Sequence, residues 1–256
     1  MYAFRLLRPK KVRTAAALFL VLFCALLPGN LSAADALWSE AMERYAESDG
    51  WVPFAYGIEQ KLYNGGGELL NHARMTMRIG VDDTGELTYA IEDQQQLVGK
   101  PMDGPPFGGG DGGEGSDRFE AAMLNPLDAA VQENITVRRI GTEQLKDGRT
   151  LVKYAFTLEA GPSSKAEGTV WIDPQLRIPV WIERELDPPF FMIRRFSITE
   201  NYAEQDRVLV TERLSFAITF VFVIRREFLI EMNFLDHRYD PAVAELLGQG
   251  RPAGEN

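Results

Sequence analysis

The spacing of apolar residues changes from a helical to a β period near residue 50. Between Leu37 and Tyr45 the apolar residues recur every three or four positions, which predicts a helix, and Asp49-Gly50 supplies its stop signal. From Phe54 onwards apolar and polar residues alternate, and this alternation predicts a strand. The pattern therefore predicts one short helix followed by a β-rich chain.

Alternating segments recur along the rest of the chain and are separated by turn signals such as Lys146-Asp147-Gly148 and Asp173-Pro174. A last run, 208–234, is too long for one strand and must contain two or more. It carries no Gly or Pro, so the sequence does not locate its turn, and Arg225-Arg226 is only a guess. The other predicted strands lie near 54–58, 73–81, 87–93, 135–140, 150–158, 166–172, 178–185 and 190–202.

This count predicts nine to eleven strands with a helix at each end. The closing helix begins with Asp240 as N-cap and Pro241 in its first turn. The strands follow one another without long helices between them, which favours an antiparallel sheet over a parallel α/β sheet. The fold class is therefore mostly β with helices (α+β). Residues 99–117, rich in Gly and Pro, are predicted to form a loop, and a weak helix follows within 117–133.

The first residues of the chain have the pattern of a secretory signal. Five basic residues precede Ala15–Leu27, an apolar run of 13 residues, which is shorter than the roughly 20 needed to span a membrane. Small residues then allow cleavage after Ala34 or Ala36. The alternative is that this segment stays uncleaved as a membrane anchor. A lipoprotein acylated at Cys24 is disfavoured, because the preceding residue, Phe23, is too bulky for a lipoprotein signal. We expect a signal at 1–34, one domain at 35–240, and a short helix and tail at 241–256.

Loss of the signal changes the charge and the chemistry of the chain. The full sequence has 27 basic and 37 acidic side chains, and removing the five basic residues of the signal leaves 22 against 37, a net charge of −15. Such a surface repels nucleic acid. Without Cys24 the exported chain has no thiol, so a disulfide framework is excluded and a hydrophobic core must hold the fold.

No catalytic or metal-binding pattern stands out, and we predict neither cofactor nor enzyme activity. The two histidines, His72 and His237, are far apart and lie in no ligand spacing. Residues 112–120 match a calcium nonapeptide once, but that motif holds calcium by stacking successive copies. No nucleophile elbow or Ser-x-x-Lys motif occurs.

Aromatic and methionine residues cluster in the C-terminal half, where some segments are apolar on both faces. In a sheet covered on one face, apolar and polar residues alternate along each strand. Strands that are apolar on both faces therefore need a helix, a partner or a ligand to cover the second face. These side chains either fill a core or line a hydrophobic cavity for a ligand. The candidate cavity residues are Trp171, Trp181, Phe190, Met192, Phe196, Phe220, Phe222, Met232 and Phe234.

One hairpin carries a family resemblance. Residues 168–180 read G-T-V-W-I-D-P-Q-L-R-I-P-V, which resembles the G-x-x-W-I-D-P hairpin of the periplasmic lipoprotein-carrier superfamily. That superfamily contains the LolA/LolB-type carriers and the related sigma-factor regulators of the RseB/MucB type. The order of elements fits over about Leu37 to Tyr239, although no local motif identifies a counterpart of the carriers' functional arginine.

The resemblance implies a strongly curved, incomplete β-barrel closed by helices, with an apolar hollow that holds acyl chains. It implies a periplasmic, non-catalytic binding protein whose partner is a lipid acyl chain or an acylated lipoprotein. The alternative is a regulatory domain that binds an envelope protein, as the sigma-factor regulators do.

Overall fold

Ten strands form a single antiparallel sheet, within the predicted range of nine to eleven. The structure, a computed structural model, describes residues 35–100, 123–159, 165–187, 193–221 and 225–247. The elements are α1 (Ala36–Ala46), β1 (Trp51–Asn64), β2 (Leu69–Val81), β3 (Leu87–Val98), a 3₁₀ helix (Ala129–Asn134), β4 (Ile135–Gln144), β5 (Thr150–Glu159), β6 (Lys165–Asp173), β7 (Ile178–Asp187), β8 (Ile193–Gln205), β9 (Val208–Val221), β10 (Arg225–Tyr239) and α2 (Pro241–Leu246).

The first and last strands of the chain meet in the middle of the sheet. The strand order is β3-β2-β1-β10-β9-β8-β7-β6-β5-β4, and β1 pairs with β10 in one unbroken register from Trp51 opposite Tyr239 to Asn64 opposite Arg226. Strands β3 and β4 are consequently the two edges, and the sheet is open. The expected closure by helices is wrong, because α1, the 3₁₀ helix and α2 have only 11, 6 and 6 residues and none of them bridges the two edges.

Cross-strand pairing assigns a face to each residue, because directly opposed residues share a face. The helices pack on one face, where Trp38 of α1 lies 5.5 Å from Tyr154 between ring centroids. We call this the covered face and the opposite one the open face. One row of opposed residues on the covered face comprises Gln94, Met75, Ile58, Met232, Leu214, Glu200, Ile182, Val170, Tyr154 and Arg139.

The core of the covered face consists of two large clusters and a small third one, in which Val52 of β1 packs against Val243 and Ala244 of α2. The first lies over β5 to β7 and includes Tyr154 and Phe156, and α1 and the 3₁₀ helix cover it with Trp38, Leu127 and Val131. The second lies over β8 to β10. Its buried members are Leu186, Phe196, Ile198, Leu214, Phe216, Ile218, Phe228 and Ile230.

The connection between β3 and β4 joins the two edges of the sheet. Its described part, from residue 123, lies on the covered face. Met123 packs against the second cluster, whereas Leu127 and Val131 belong to the first. The 3₁₀ helix falls where a weak helix was predicted, with Asp128 as its N-cap. The predicted loop at 99–117 lies mostly outside the described residues.

Turn signals in the sequence mark some of the hairpin turns but not all of them. Asp173 accepts hydrogen bonds from the backbone N–H groups of Gln175 and Leu176, as an Asp-Pro turn predicts. The loop between β8 and β9 falls in the gap between the predicted segments 190–202 and 208–234. It carries no turn signal, because Asp206 and Arg207 adopt the positive φ values, 51° and 69°, that two-residue hairpins usually give to Asn and Gly.

The turn placed at Arg225-Arg226 is wrong, since β9 ends at Val221 and β10 begins at Arg225. The connection falls at residues 222–224, outside the described part. At the end of the chain, Asp240 caps α2 by accepting from the N–H of Val243 at 3.1 Å, which confirms the predicted helix start. Among the described residues, no helix has both the length and the apolarity needed to cross a membrane.

The glycine of the recognised hairpin has a steric role that can be tested. A Cβ at Gly168 would lie 2.1 Å from the backbone oxygen of Glu183 and 2.7 Å from the ring of Phe156. We predict that Gly168→Ala lowers the free energy of unfolding by about 3 kcal/mol, because backbone cannot yield to the added atom. Chemical denaturation measures this loss.

Gly57 supplies the matched control. It also lies within a strand, but a Cβ there would meet nothing closer than Asn233 at 4.0 Å. Gly57→Ala should change the free energy of unfolding by no more than about 0.5 kcal/mol. Equal losses for the two variants would contradict the steric explanation.

Candidate functional site

The predicted cavity residues do not share one face of the sheet. Phe196, Phe220, Met232 and Phe234 lie on the covered face, as their cross-strand partners show. Phe196 is buried in the second cluster. Met232 and Phe234 are half-buried at the margin of that cluster, and Phe220 is 37% exposed. The structure therefore brings this part of the set together.

Trp171 and Trp181 lie on the open face and are separated from those four by the thickness of the sheet. They oppose one another across β6 and β7, with ring centroids 4.8 Å apart and planes inclined by 23°. An apolar ligand on the covered face cannot reach them. Phe190, Met192 and Phe222 fall outside the described residues.

The covered face also carries apolar residues that sequence reasoning did not select. Next to Met232 and Phe234, strands β1 and β2 place further half-buried apolar side chains in the same rows. Their signal was present in the period-two pattern of β1 and β2, but it could not show that these strands lie beside β10. We call the five neighbours Ile58, Met75, Met77, Met232 and Phe234 the methionine strip.

The methionine strip continues to the free edge of the sheet. Ile91 of β3 opposes Met77 and is 58% exposed, and Tyr89 is 55% exposed. At the other end, Tyr56 packs edge-to-face on Phe234 at 5.4 Å. Burial and the neighbouring Tyr89 raise the pKa of Tyr56 to about 12, so its hydroxyl stays neutral at physiological pH. The strip thus leads from a closed core to an exposed apolar edge, and none of its five members is charged.

A buried polar network lies between the two apolar clusters. Arg184 Nη2 donates to Glu200 Oε1 at 2.6 Å, and the Tyr202 hydroxyl donates to Glu200 Oε2 at 2.5 Å. Asn125 Nδ2 donates to the same Oε2 at 2.8 Å. Burial, followed by the charge of Glu200, raises the pKa of Tyr202 well above its ordinary value. Because Asn125 belongs to the β3–β4 connection, the network fastens that connection to the sheet.

A hollow of about 150 Å³ lies on the open face, not on the covered face where an acyl cavity was expected. Its side chains come from β1, β8, β9 and β10 and are mostly small or polar. Hydroxyl groups of three residues and carboxylates of two contribute to it, with the ammonium group of Lys61. The lining residues are Glu59, Lys61, Ser197, Thr199, Ser215, Phe216, Ala217, Leu229, Ile230 and Glu231.

Glu59 at the wall of this hollow is held by two cationic groups and a histidine ring. Its Oε1 lies 3.0 Å from Lys61 Nζ, 2.6 Å from His72 Nε2 and 3.1 Å from Arg74 Nη2. Desolvation opposes ionisation of Glu59, but the hydrogen bonds from these groups outweigh it and lower its pKa to about 2. This carboxylate is therefore a fixed negative charge with its neutralising partners beside it.

The two histidines have structural partners. His72 contacts Glu59 as above, and His237 Nε2 lies 3.0 Å from the backbone oxygen of Thr211. Burial lowers the pKa of His237 and so favours its neutral form. Within the described ranges, no group of three or more His, Cys, Asp or Glu side chains is arranged to hold a metal ion.

Comparison with known proteins finds similarity in solved structures alone. No protein-family model matches the chain, and no curated protein matches it. A DUF1329 family protein from Desulfovibrio piger is 10% identical, with a TM-score of 0.39 over 81% of this chain and 93% of its own. The Pseudomonas aeruginosa MucA/MucB complex contains a chain 10% identical, with a TM-score of 0.24 over 79% of this chain and 99% of its own. Lipovitellin is 13% identical, with a TM-score of 0.28 over 75% of this chain and 26% of its own.

The buried network predicts a strong coupling between Arg184 and Glu200, whose side chains are 2% and 9% exposed. Arg184→Met should lower the free energy of unfolding by about 3–5 kcal/mol, because it leaves a buried carboxylate without its cation. Arg184→Met combined with Glu200→Leu should cost much less than the sum of the single changes. A double-mutant cycle by denaturant unfolding measures the coupling.

The surface pair of Arg195 and Glu185 joins the neighbouring strands and serves as control. Its side chains are 60% and 52% exposed, so Arg195→Met should cost less than about 1 kcal/mol. Additive single and double changes at Arg184 and Glu200 would show that the two residues do not act as a pair.

The lowered pKa of Glu59 predicts that the folded protein loses stability in acid. Its pKa in the folded protein, about 2, lies below its ordinary value of 4.5, so the stability it contributes is complete above pH 4.5 and is lost as the pH falls towards 2. Glu59→Gln should remove about 1–2 kcal/mol from the difference in unfolding free energy between pH 6 and pH 2.5, allowing for solvent screening. Unfolding curves at both pH values test this, and an unchanged difference would contradict the assignment.

Proposed function

We propose that this chain is an exported, periplasmic binding protein that holds the acyl chain of a lipid or of an acylated lipoprotein without chemical conversion. The methionine strip is the observation that carries the proposal. It presents apolar side chains beside the second cluster, where they are half-buried instead of closed in the core. Apolar surface that extends in this way is typical of a binding groove.

The chemistry of the strip suits a flexible hydrocarbon chain. Met75, Met77 and Met232 have unbranched, polarisable side chains that adapt to the shape of a ligand. Ile58 and Phe234 supply rigid apolar area between them. Each methylene group that leaves water on binding contributes about 0.8 kcal/mol, so even part of an acyl chain along the strip would give measurable affinity.

Docking of an envelope protein segment is the second candidate, and strand β3 supports it. This edge strand has 12 residues, and all but Leu87 are exposed. Among the described strands it pairs with β2 alone, so an added strand would pair along its other side. A partner segment there would extend the covered face beyond Tyr89 and Ile91.

Acyl-chain binding predicts a face-specific mutational effect. The exported protein should bind a fluorescent fatty acid such as dansyl-undecanoic acid in a saturable manner. The double change Met75→Ser and Met77→Ser should weaken binding about tenfold, since it removes roughly 1.4 kcal/mol of apolar contact. Fluorescence titration of the folded proteins, checked by circular dichroism, measures the affinities.

Leu229→Ser is the matched control, because Leu229 is a half-buried apolar residue on the open face of β10. It should leave fatty-acid binding unchanged. A wild-type protein that does not bind the probe, or equal losses for the two variants, would overturn the acyl-chain proposal. Binding of an envelope segment that protects the β3 amides from hydrogen exchange would then favour the second candidate.

A further inference from the structure

The open face carries an aromatic platform that the acyl-binding proposal does not use. One row of opposed residues runs across this face through Trp171 and Trp181. The row comprises Asp93, Thr76, Gly57, Asn233, Arg213, Asn201, Trp181, Trp171, Lys153 and Gly141. None of the described helices covers this face. It nevertheless carries two large aromatic rings, followed along the row by side chains with planar polar groups.

Neighbouring charged groups fix the tryptophan pair in position. The indole N–H of Trp171 donates to Glu143 Oε2 at 2.9 Å. Lys153 Nζ lies 5.2 Å from the centre of the Trp171 ring and 3.2 Å from Glu143. Trp171 is thereby 7% exposed, whereas Trp181, stacked against it, is more exposed. Trp181 is thus the accessible member of a rigid, pre-oriented pair.

The polar hollow begins next to this platform. Trp181 opposes Asn201, and Thr199 of the hollow stands two residues before Asn201 on β8. Diagonal neighbours of this kind lie about 7–8 Å apart. The hollow then continues over Ser215 of β9 to Glu231 of β10, whose side chains occupy the same row as Thr199. A ligand of two or three linked rings would cover both features.

The lining of the hollow selects the chemistry of such a ligand. Hydroxyl and carboxylate groups disfavour a hydrocarbon chain because they would lose their hydrogen bonds to water. Glu59 is paired with Lys61 and Glu231 with Arg213, so the hollow favours neither a polyanion nor a polycation. Its volume of about 150 Å³ is similar to that of a cavity that holds one six-membered ring.

We propose that the open face binds a neutral glycan, with one sugar ring stacked on Trp181 and the next in the hollow at Thr199 and Ser215. A pyranose ring matches both features, since it presents C–H groups on its face and hydroxyl groups around its edge. The C–H face would lie on the indole, and the hydroxyl groups would exchange hydrogen bonds with Thr199, Ser215 and Glu231. Ala217 and Leu229 supply apolar contact beside them.

Titration with cellotetraose and chitotetraose tests the site. At least one of them should change the tryptophan fluorescence of the exported protein in a saturable manner, and isothermal titration calorimetry should give the same affinity. Trp181→Ala should weaken binding at least tenfold, whereas Trp181→Phe, which keeps an aromatic face, should retain most of it. The combined change Thr199→Val and Ser215→Ala leaves the aromatic pair intact and should also weaken binding.

Two controls separate this site from general effects. Trp51→Phe alters a tryptophan that packs on Tyr239 at 6.3 Å and should not affect glycan binding. Met77→Ser changes the covered face and should affect fatty-acid binding alone. The proposal is overturned if neither oligosaccharide binds saturably, or if the Trp181→Ala and the Thr199→Val, Ser215→Ala proteins both bind as tightly as wild type.

Discussion

The pairing of β1 with β10 is the constraint from which the architecture follows. Thirteen opposed pairs join strands at the two ends of the chain, so a long loop must close before they form. Once they pair, β3 and β4 become the edges of the sheet, and the part of their connection that the structure describes from residue 123 lies on the covered face. That part brings Leu127 and Val131 onto the first cluster, so among the described residues the helical elements cover one face of the sheet.

The two faces consequently offer different chemistry from neighbouring positions in the sequence. Val170 and Ile182 lie under α1 and the 3₁₀ helix, whereas Trp171 and Trp181, one residue away, lie on the open face. A shift of one residue in strand register would exchange these environments. The apolar strip on one face and the hydroxyl-lined hollow on the other therefore depend on the same hydrogen-bond register, and an acyl chain and a glycan could be held without competition.

Local patterns in the sequence predicted local structure well and long-range placement poorly. The alternation from Phe54 and the Asp240 cap identified elements that the structure contains, because side-chain period and capping act over a few residues. The sequence could not show which face of the sheet Trp171 occupies. Val170, Trp171 and Ile172 are all apolar, so the alternation between the two faces is not visible there. The strip was missed because no local signal places Met75 and Met77 two strands away from Met232 and Phe234, which come some 160 residues later.

The charged network at Glu200 attaches the described segment of the β3–β4 connection to the sheet. A buried ion pair stabilises a fold weakly compared with apolar residues of similar volume, so its presence between two apolar clusters needs another reason. Apolar packing alone would let the segment slide over the clusters, because dispersion contacts have little directionality. Asn125, which donates to Glu200 at 2.8 Å and to the Tyr202 hydroxyl at 2.6 Å, gives that segment the directional contacts that apolar packing lacks.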